Sequence, residues 1–329
     1  MPAAGPMSLP AVPSVVRRTG DQRQGVTVNI VRYRTRESAR PRIGLHDDGH
    51  VAEIGGVDSL AGLWASPLAD LRARLSEGPL GDRVPLADVD LLAPVDGTTE
   101  VWAAGVTYET SREARVEESE RAATIYELVY DAERPELFFK SVPWRVVGPG
   151  GRLAVRADSV VDVPEPELAL VVNRFGETVG YTVCNDMSSR SIEGENPLYL
   201  PQAKIYWGGC GLGPWITPVW EIEDPYDLTI EMTIGRDGAP VWSGETSTGR
   251  LHRRLDELVS YLMRGDVHPD GVVLSTGTCL VPEAPFTLAD GDTVEIVISG
   301  VGVLGNTVVR GMPPGVNPAY GHVIEGRQS

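Results

Sequence analysis

Apolar and polar residues alternate along residues 26–33 (VTVNIVRY), a period of two that predicts a half-buried strand. Two shorter runs, 42–45 and 51–54, predict further strands, with Asp47-Asp48-Gly49 as the turn between them. Residues 60–75 instead carry apolar side chains at helical spacing and predict a short helix. Residues 85–92 (PLADVDLL) lead into another strand, stopped by Pro94. Together these elements describe a small α+β unit over residues 26–96, preceded by a Pro-, Ala- and polar-rich segment, 1–25, that reads as a flexible arm.

The pattern changes after residue 97. Residues 101–106 (VWAAGV) read as a buried strand, and 111–130 as an amphipathic helix with Ile125, Leu128 and Val129 at helical intervals. A short apolar piece, 137–139, ends in Lys140. Beyond it come many short strands, at 152–156, 168–173, 179–184, 213–217, 227–234, 271–276 and 293–299. One helix, 250–263, interrupts them. Strands and helices do not alternate, so residues 97–329 are expected to form a β-rich roll or barrel rather than a doubly wound parallel sheet.

Composition narrows the possible partners. A formal charge of −17 argues against a nucleic-acid partner, because a phosphate backbone would be repelled. The three cysteines are far apart and form no CxxC, so neither a zinc cluster nor a disulfide framework is indicated, and a reducing compartment, the cytoplasm, is expected. No apolar run is long enough to span a bilayer, and no signal peptide or membrane partner is expected. The glycine-rich stretch 208–213 does not match GxGxxG, the histidines lack ligand spacing, and no GxSxG elbow occurs.

One stretch does carry candidate chemistry. Glu165 and Glu167 stand two apart, so in extended chain both carboxylates share a face. The apolar run 168–172 buries the rest of that strand. Asp186 lies just past a second predicted strand, 180–184 (GYTVC), where a hairpin would bring it to the same point. Two glutamates and an aspartate are often only a solvated edge. Embedded in apolar sequence, however, they need a partner, and oxygen-only ligation suits Mg²⁺, Mn²⁺ or Ca²⁺.

These residues also resemble a known family. PEPELALVV (164–172), NDMSSR (185–190), Lys204, GLGPW (211–215) and STGTCLVP (275–282) are similar to motifs of the fumarylacetoacetate hydrolase superfamily, over some two-thirds of the chain. YDAERPELFFK (130–140) and ENPLYLPQAKIY (195–206) resemble its branch that dehydrates 2-keto-3-deoxy-D-arabinonate. The resemblance implies a β-rich roll, subunits associated as a homodimer or homotetramer, and Glu165, Glu167 and Asp186 as ligands of Mg²⁺. It implies Lys204 in the same pocket, Arg190 and Thr278 as substrate-binding residues, and a polar residue at Glu193. Tyr108 is a further substrate-binding candidate, beside the plainer reading of a core aromatic. Two positions depart from the pattern. Ser111 stands where the hydrolases carry a water-activating histidine, and Ser191 where an aspartate is common after the arginine.

The reaction so implied converts a small anionic 2-keto-3-deoxy sugar acid into 2,5-dioxopentanoate and water. Lys204 would remove the C3 proton, its pKa lowered by burial and a nearby cation, and Glu136 or Glu193 would protonate the departing C4 hydroxyl. A metal-dependent C–C hydrolase or decarboxylase of a 2,4-dioxo acid is the alternative, weakened by Ser111. A non-catalytic binding or assembly unit on the same fold is another, weakened by the intact set of Glu165, Glu167, Asp186 and Lys204.

Overall fold

The expected N-terminal turn and the three strands around it form where the pattern of alternation and the Asp-Gly pair demand them. Strands β1 (Asn29–Thr35), β2 (Ser38–Asp47) and β3 (His50–Glu53) are consecutive antiparallel neighbours. Asp48 and Gly49, at φ 47° and 72°, make the left-handed turn that suits the twist of the hairpin. The computed structural model describes residues 28–78, 81–108 and 128–312. The 1–25 segment, Ser111 and most of the helix expected over 111–130 lie outside the described residues.

The single helix expected over 60–75 is two: α1 (Leu60–Trp64) and α2 (Leu68–Ser76). Pro67 lacks the N–H that would continue the first and instead precedes the second. Ser59 caps α1, accepting from the Gly62 N–H. Short strands β4 (Val84–Pro85) and β5 (Val89–Leu91) follow.

The remainder is β-rich, as expected. In order come β6 (Glu100–Gly105), β7 (Glu136–Ser141), β8 (Val146–Val147), β9 (Arg152–Val155), β10 (Asp162–Val163), β11 (Pro166–Val172), β12 (Thr178–Asp186) and β13 (Ser188–Ser189). Helices α3 (Arg190–Glu195) and α4 (Leu200–Lys204) then lead to β14 (Cys210–Pro218), β15 (Thr229–Arg236) and β16 (Ala239–Ser247). Helix α5 (Leu255–Leu262) precedes β17 (Val272–Ser275), β18 (Thr293–Ile298) and β19 (Gly302–Arg310).

Among the described residues, one large sheet runs β4-β3-β2-β1-β14-β12-β11-β17-β6-β7, and a five-stranded sheet runs β16-β15-β18-β19-β9. Most pairings are antiparallel, but β17 and β6 are parallel. Strand β11 is central and wholly buried, which explains its unbroken apolar run. Leu168, Leu170 and Val172 face the core shared with Ile230, Met232, Ile296 and the buried face of α5. Ala169 and Val171 face a second core with Ile30, Leu45, Leu63 and Trp64 from the N-terminal unit.

Three further differences from expectation are found. Strands β16 and β19 were not predicted, because β16 is a largely exposed edge and β19 is interrupted by glycines and an asparagine. The helix expected over 250–263 begins only at Leu255. The preceding residues are used otherwise: the N–H groups of His252 and Arg253 donate to the Thr107 carbonyl, and His252 stacks on Tyr130 with ring centroids 4.1 Å apart. Strand β12 continues to Asp186 instead of stopping at Cys184.

Candidate functional site

The β11–β12 register assembles the carboxylates. Pro166 pairs with Asn185 and Glu167 with Cys184, so the chain just before β11 meets the end of β12. The Asp186 N–H donates to the Glu165 carbonyl at 2.9 Å. Glu165, Glu167 and Asp186 are each 1% exposed, and one carboxylate oxygen from each lies within 4.8 Å of the others. The arrangement excludes the solvated-edge alternative. Three buried carboxylates so close need cations around them.

Among the described residues, three cationic side chains meet them. Lys204, the last residue of α4, donates from Nζ to Glu165 Oε2 at 2.6 Å, Asp186 Oδ2 at 3.1 Å and Ser188 Oγ at 2.5 Å. Arg190, the first residue of α3, donates from Nη2 to Glu165 Oε1 at 2.7 Å. It braces a carboxylate of the triad. The third is Lys140, at 1% exposure on β7. Its Nζ forms an ion pair with Asp186 Oδ1 and donates to the carbonyls of Met187 at 3.1 Å and Lys204 at 2.5 Å. The sequence offered only a weak signal for Lys140, a lysine closing an apolar run.

Glu167 is held by neutral donors instead. Its Oε2 accepts from Ser275 Oγ at 2.5 Å and the Gly277 N–H at 2.9 Å. Burial first, then repulsion from Asp186 and Glu165, pushes its carboxyl up to about 8. Neither Ser275 nor Gly277 was singled out from sequence. Gly277 sits at φ 88°, and a Cβ there would fall 2.0 Å from Thr107 Oγ1, so the close approach requires glycine.

A cavity of about 10 Å³ opens over these groups, room for one water-sized occupant. Gly105, Val106, Phe138, Gly277 and Thr278 complete its wall. Val106 holds φ 54°, a left-handed backbone that a β-branched residue rarely adopts. Thr278 is 8% exposed, and its Oγ1 accepts from the Leu280 N–H at 3.1 Å. Glu136 pairs with Gly105 across β7 and β6, and a Cβ at 105 would fall 2.1 Å from Glu136 Oε2. The Glu136 carboxylate therefore lies against the pocket wall.

The other expected residues lie further off. Glu193 is buried on α3 but does not line the cavity wall. Tyr108 is fully buried and bridged through its backbone to Leu251, also away from that wall. Ser191 directs its hydroxyl at the turn before β10, accepting from the Val160 N–H at 3.2 Å and contacting Ser159 Oγ at 3.0 Å. An all-oxygen, buried donor set of this kind fits a hard divalent cation and not a soft one. Such a cation would be held by Glu165, Glu167 and Asp186.

Comparisons with known proteins agree with this reading of the fold. A "Probable 2-keto-3-deoxyxylonate dehydratase" of Haloferax volcanii is 49% identical over 263 residues, 79% of this chain and 89% of that protein. A "2-dehydro-3-deoxy-D-arabinonate dehydratase" of Saccharolobus solfataricus is 47% identical over 220 residues, 66% of this chain and 74% of that protein. A solved structure of 2-keto-3-deoxy-D-arabinonate dehydratase complexed with magnesium and 2,5-dioxopentanoate superposes with a TM-score of 0.73 at 36% identity. It covers 87% of this chain and all of the other. The family described as "Fumarylacetoacetate (FAA) hydrolase C-terminal" matches residues 100–309, which hold every carboxylate and cation of the site. By that match and by these relatives, the chain belongs to the fumarylacetoacetate hydrolase family.

Proposed function

We propose that the chain is a Mg²⁺-dependent hydro-lyase that converts a 2-keto-3-deoxy pentonate, such as 2-keto-3-deoxy-D-arabinonate, into 2,5-dioxopentanoate and water. The single observation that carries this is the buried Glu165–Glu167–Asp186 triad with the Lys204 ammonium bonded to two of its members. The dehydratases similar at 47–49% identity support the substrate class. Residues 97–329 form the catalytic unit in this reading, residues 26–96 support it, and the protein works as a homo-oligomer.

A bound Mg²⁺ would polarise the 2-oxo group and acidify the C3 hydrogens. Lys204 removes the C3 proton once its amine is neutral, from a position 5.9 Å from the Phe138 ring centroid. Glu136 protonates the C4 hydroxyl, so the C4–O bond breaks and water leaves. Neither Glu136 nor Glu193 lines the cavity itself, but the Glu136 carboxylate lies against Gly105, which does, and that contact favours Glu136 of the two expected acids. Loss of the C3 proton and the C4 hydroxyl leaves a C3–C4 enone; moving a proton from C5 to C3 gives the C4–C5 enol, and protonation at C4 with loss of the hydroxyl proton yields the C5 aldehyde. Thr278 Oγ1 and the neighbouring N–H groups hold the substrate carboxylate, and Arg190 orients Glu165.

The competing reaction, cleavage of a 2,4-dioxo acid, needs a base for water. Among the described residues no histidine lines the pocket. Incubation with 2-keto-3-deoxy-D-arabinonate and Mg²⁺, followed by mass analysis, should reveal loss of one water and appearance of an aldehyde. Inert pentonate together with cleaved acylpyruvate would overturn the proposal.

A further inference from the structure

Each carboxylate of the triad has one oxygen held by a side chain or backbone group other than Lys204. Glu165 Oε1 accepts from Arg190 at 2.7 Å. Glu167 Oε2 accepts from Ser275 and from the Gly277 N–H. Asp186 Oδ1 is paired with Lys140. The other oxygens of Glu165 and Asp186 both contact Lys204 Nζ, which marks the point where a cation's positive charge belongs.

We infer that Lys140 is a positioning residue that holds Asp186 to one-oxygen ligation, and that the site thereby favours a compact six-coordinate cation over a larger one. Lys140 suits the task because its ammonium forms an ion pair with Asp186 Oδ1 while donating to two backbone carbonyls. The carbonyls anchor it to the end of β12 and to the C-terminus of α4, the residue that carries the Lys204 side chain. It thus fixes a ligand and the proposed base to one another.

The consequence follows from general coordination chemistry. Mg²⁺ takes six oxygens at short distance, whereas Ca²⁺ takes up to eight and gains from two-oxygen carboxylate ligation. Three carboxylates restrained to one oxygen each leave about half of a six-coordinate shell for a 2-oxo acid and water. The same restraint denies Ca²⁺ the extra ligands that it prefers. This inference rests on the metal-dependent reading above.

The test is calorimetric titration of the metal-free full chain with Mg²⁺ and with Ca²⁺. Lys140→Met keeps the stem and removes the charge, freeing Asp186 Oδ1. The lost positive charge strengthens binding of both ions, so their ratio isolates the geometry. The Ca²⁺-to-Mg²⁺ affinity ratio should rise by about tenfold. Arg190→Met, which frees Glu165 Oε1 at a site nearer the surface, should shift the ratio in the same direction and keeps the question open to test if Lys140→Met does not fold. Folded variants whose ratios stay within about twofold of wild type overturn the inference. If wild type also dehydrates the pentonate with Mg²⁺, the functional reading survives that result; a wild type that binds neither ion overturns both.

Discussion

The raised Glu167 carboxyl makes cation uptake a proton-releasing reaction. With a value of about 8 in the metal-free protein, against 4.5 for an ordinary glutamate, the group holds its proton at neutral pH. A cation can use only the ionised form. The ionised fraction is about one tenth at pH 7 and about nine tenths at pH 9. Apparent Mg²⁺ affinity should therefore rise about tenfold between those pH values and level off above. Close to one proton should leave per cation bound at pH 7. Titration calorimetry in two buffers of different ionisation enthalpy counts that proton directly. The same shift acts on stability with a definite sign. Between 4.5 and about 8 the folded, metal-free chain holds a proton that the unfolded chain has lost, so stability falls as pH rises through that window. Affinity independent of pH from 6 to 9, with heats that do not depend on buffer, would refute the reasoning.

Three other outcomes are expected. Gly105→Ala places a methyl 2.1 Å from Glu136 Oε2, so the carboxylate must move; kcat should drop about 10²-fold or more while calorimetry still detects Mg²⁺ binding. Lys204→Met should abolish exchange of the C3 hydrogens of 2-oxobutyrate with D₂O, read by proton NMR, and wild-type exchange rates in that variant would remove Lys204 as the base. Ser191→Ala loses an acceptor for the Val160 N–H and should cost about 1 kcal/mol in urea unfolding with kcat nearly unchanged, because its hydroxyl serves the turn before β10.

Much of the site is legible in the chain itself. Two glutamates two apart on an extended segment must share a face, and the apolar run 168–172 dictates that they be buried. Their need for a cation follows from charge alone. The β-rich class was likewise visible, because period-two runs separated by Gly, Pro and Asp leave little choice. Edge strand β16 escaped because its inward-facing positions, Trp242, Gly244 and Thr246, do not make an apolar period to detect. The split between α1 and α2 turned on one proline, whose effect is local and was readable in principle.

Tertiary structure alone decided the surroundings of the carboxylates. Lys140, Arg190, Lys204 and Ser275 come from four separate elements, and nothing in their local sequence says which oxygen each will take. Ser191 looked like a lost partner of Arg190, yet strand pairing between β10 and β13 turns it toward another segment. The physical reason is common to these cases. Backbone periodicity sets which face a residue occupies, whereas long-range register sets which charges face one another, and at 2.6–3.1 Å in a buried site that second arrangement governs the chemistry.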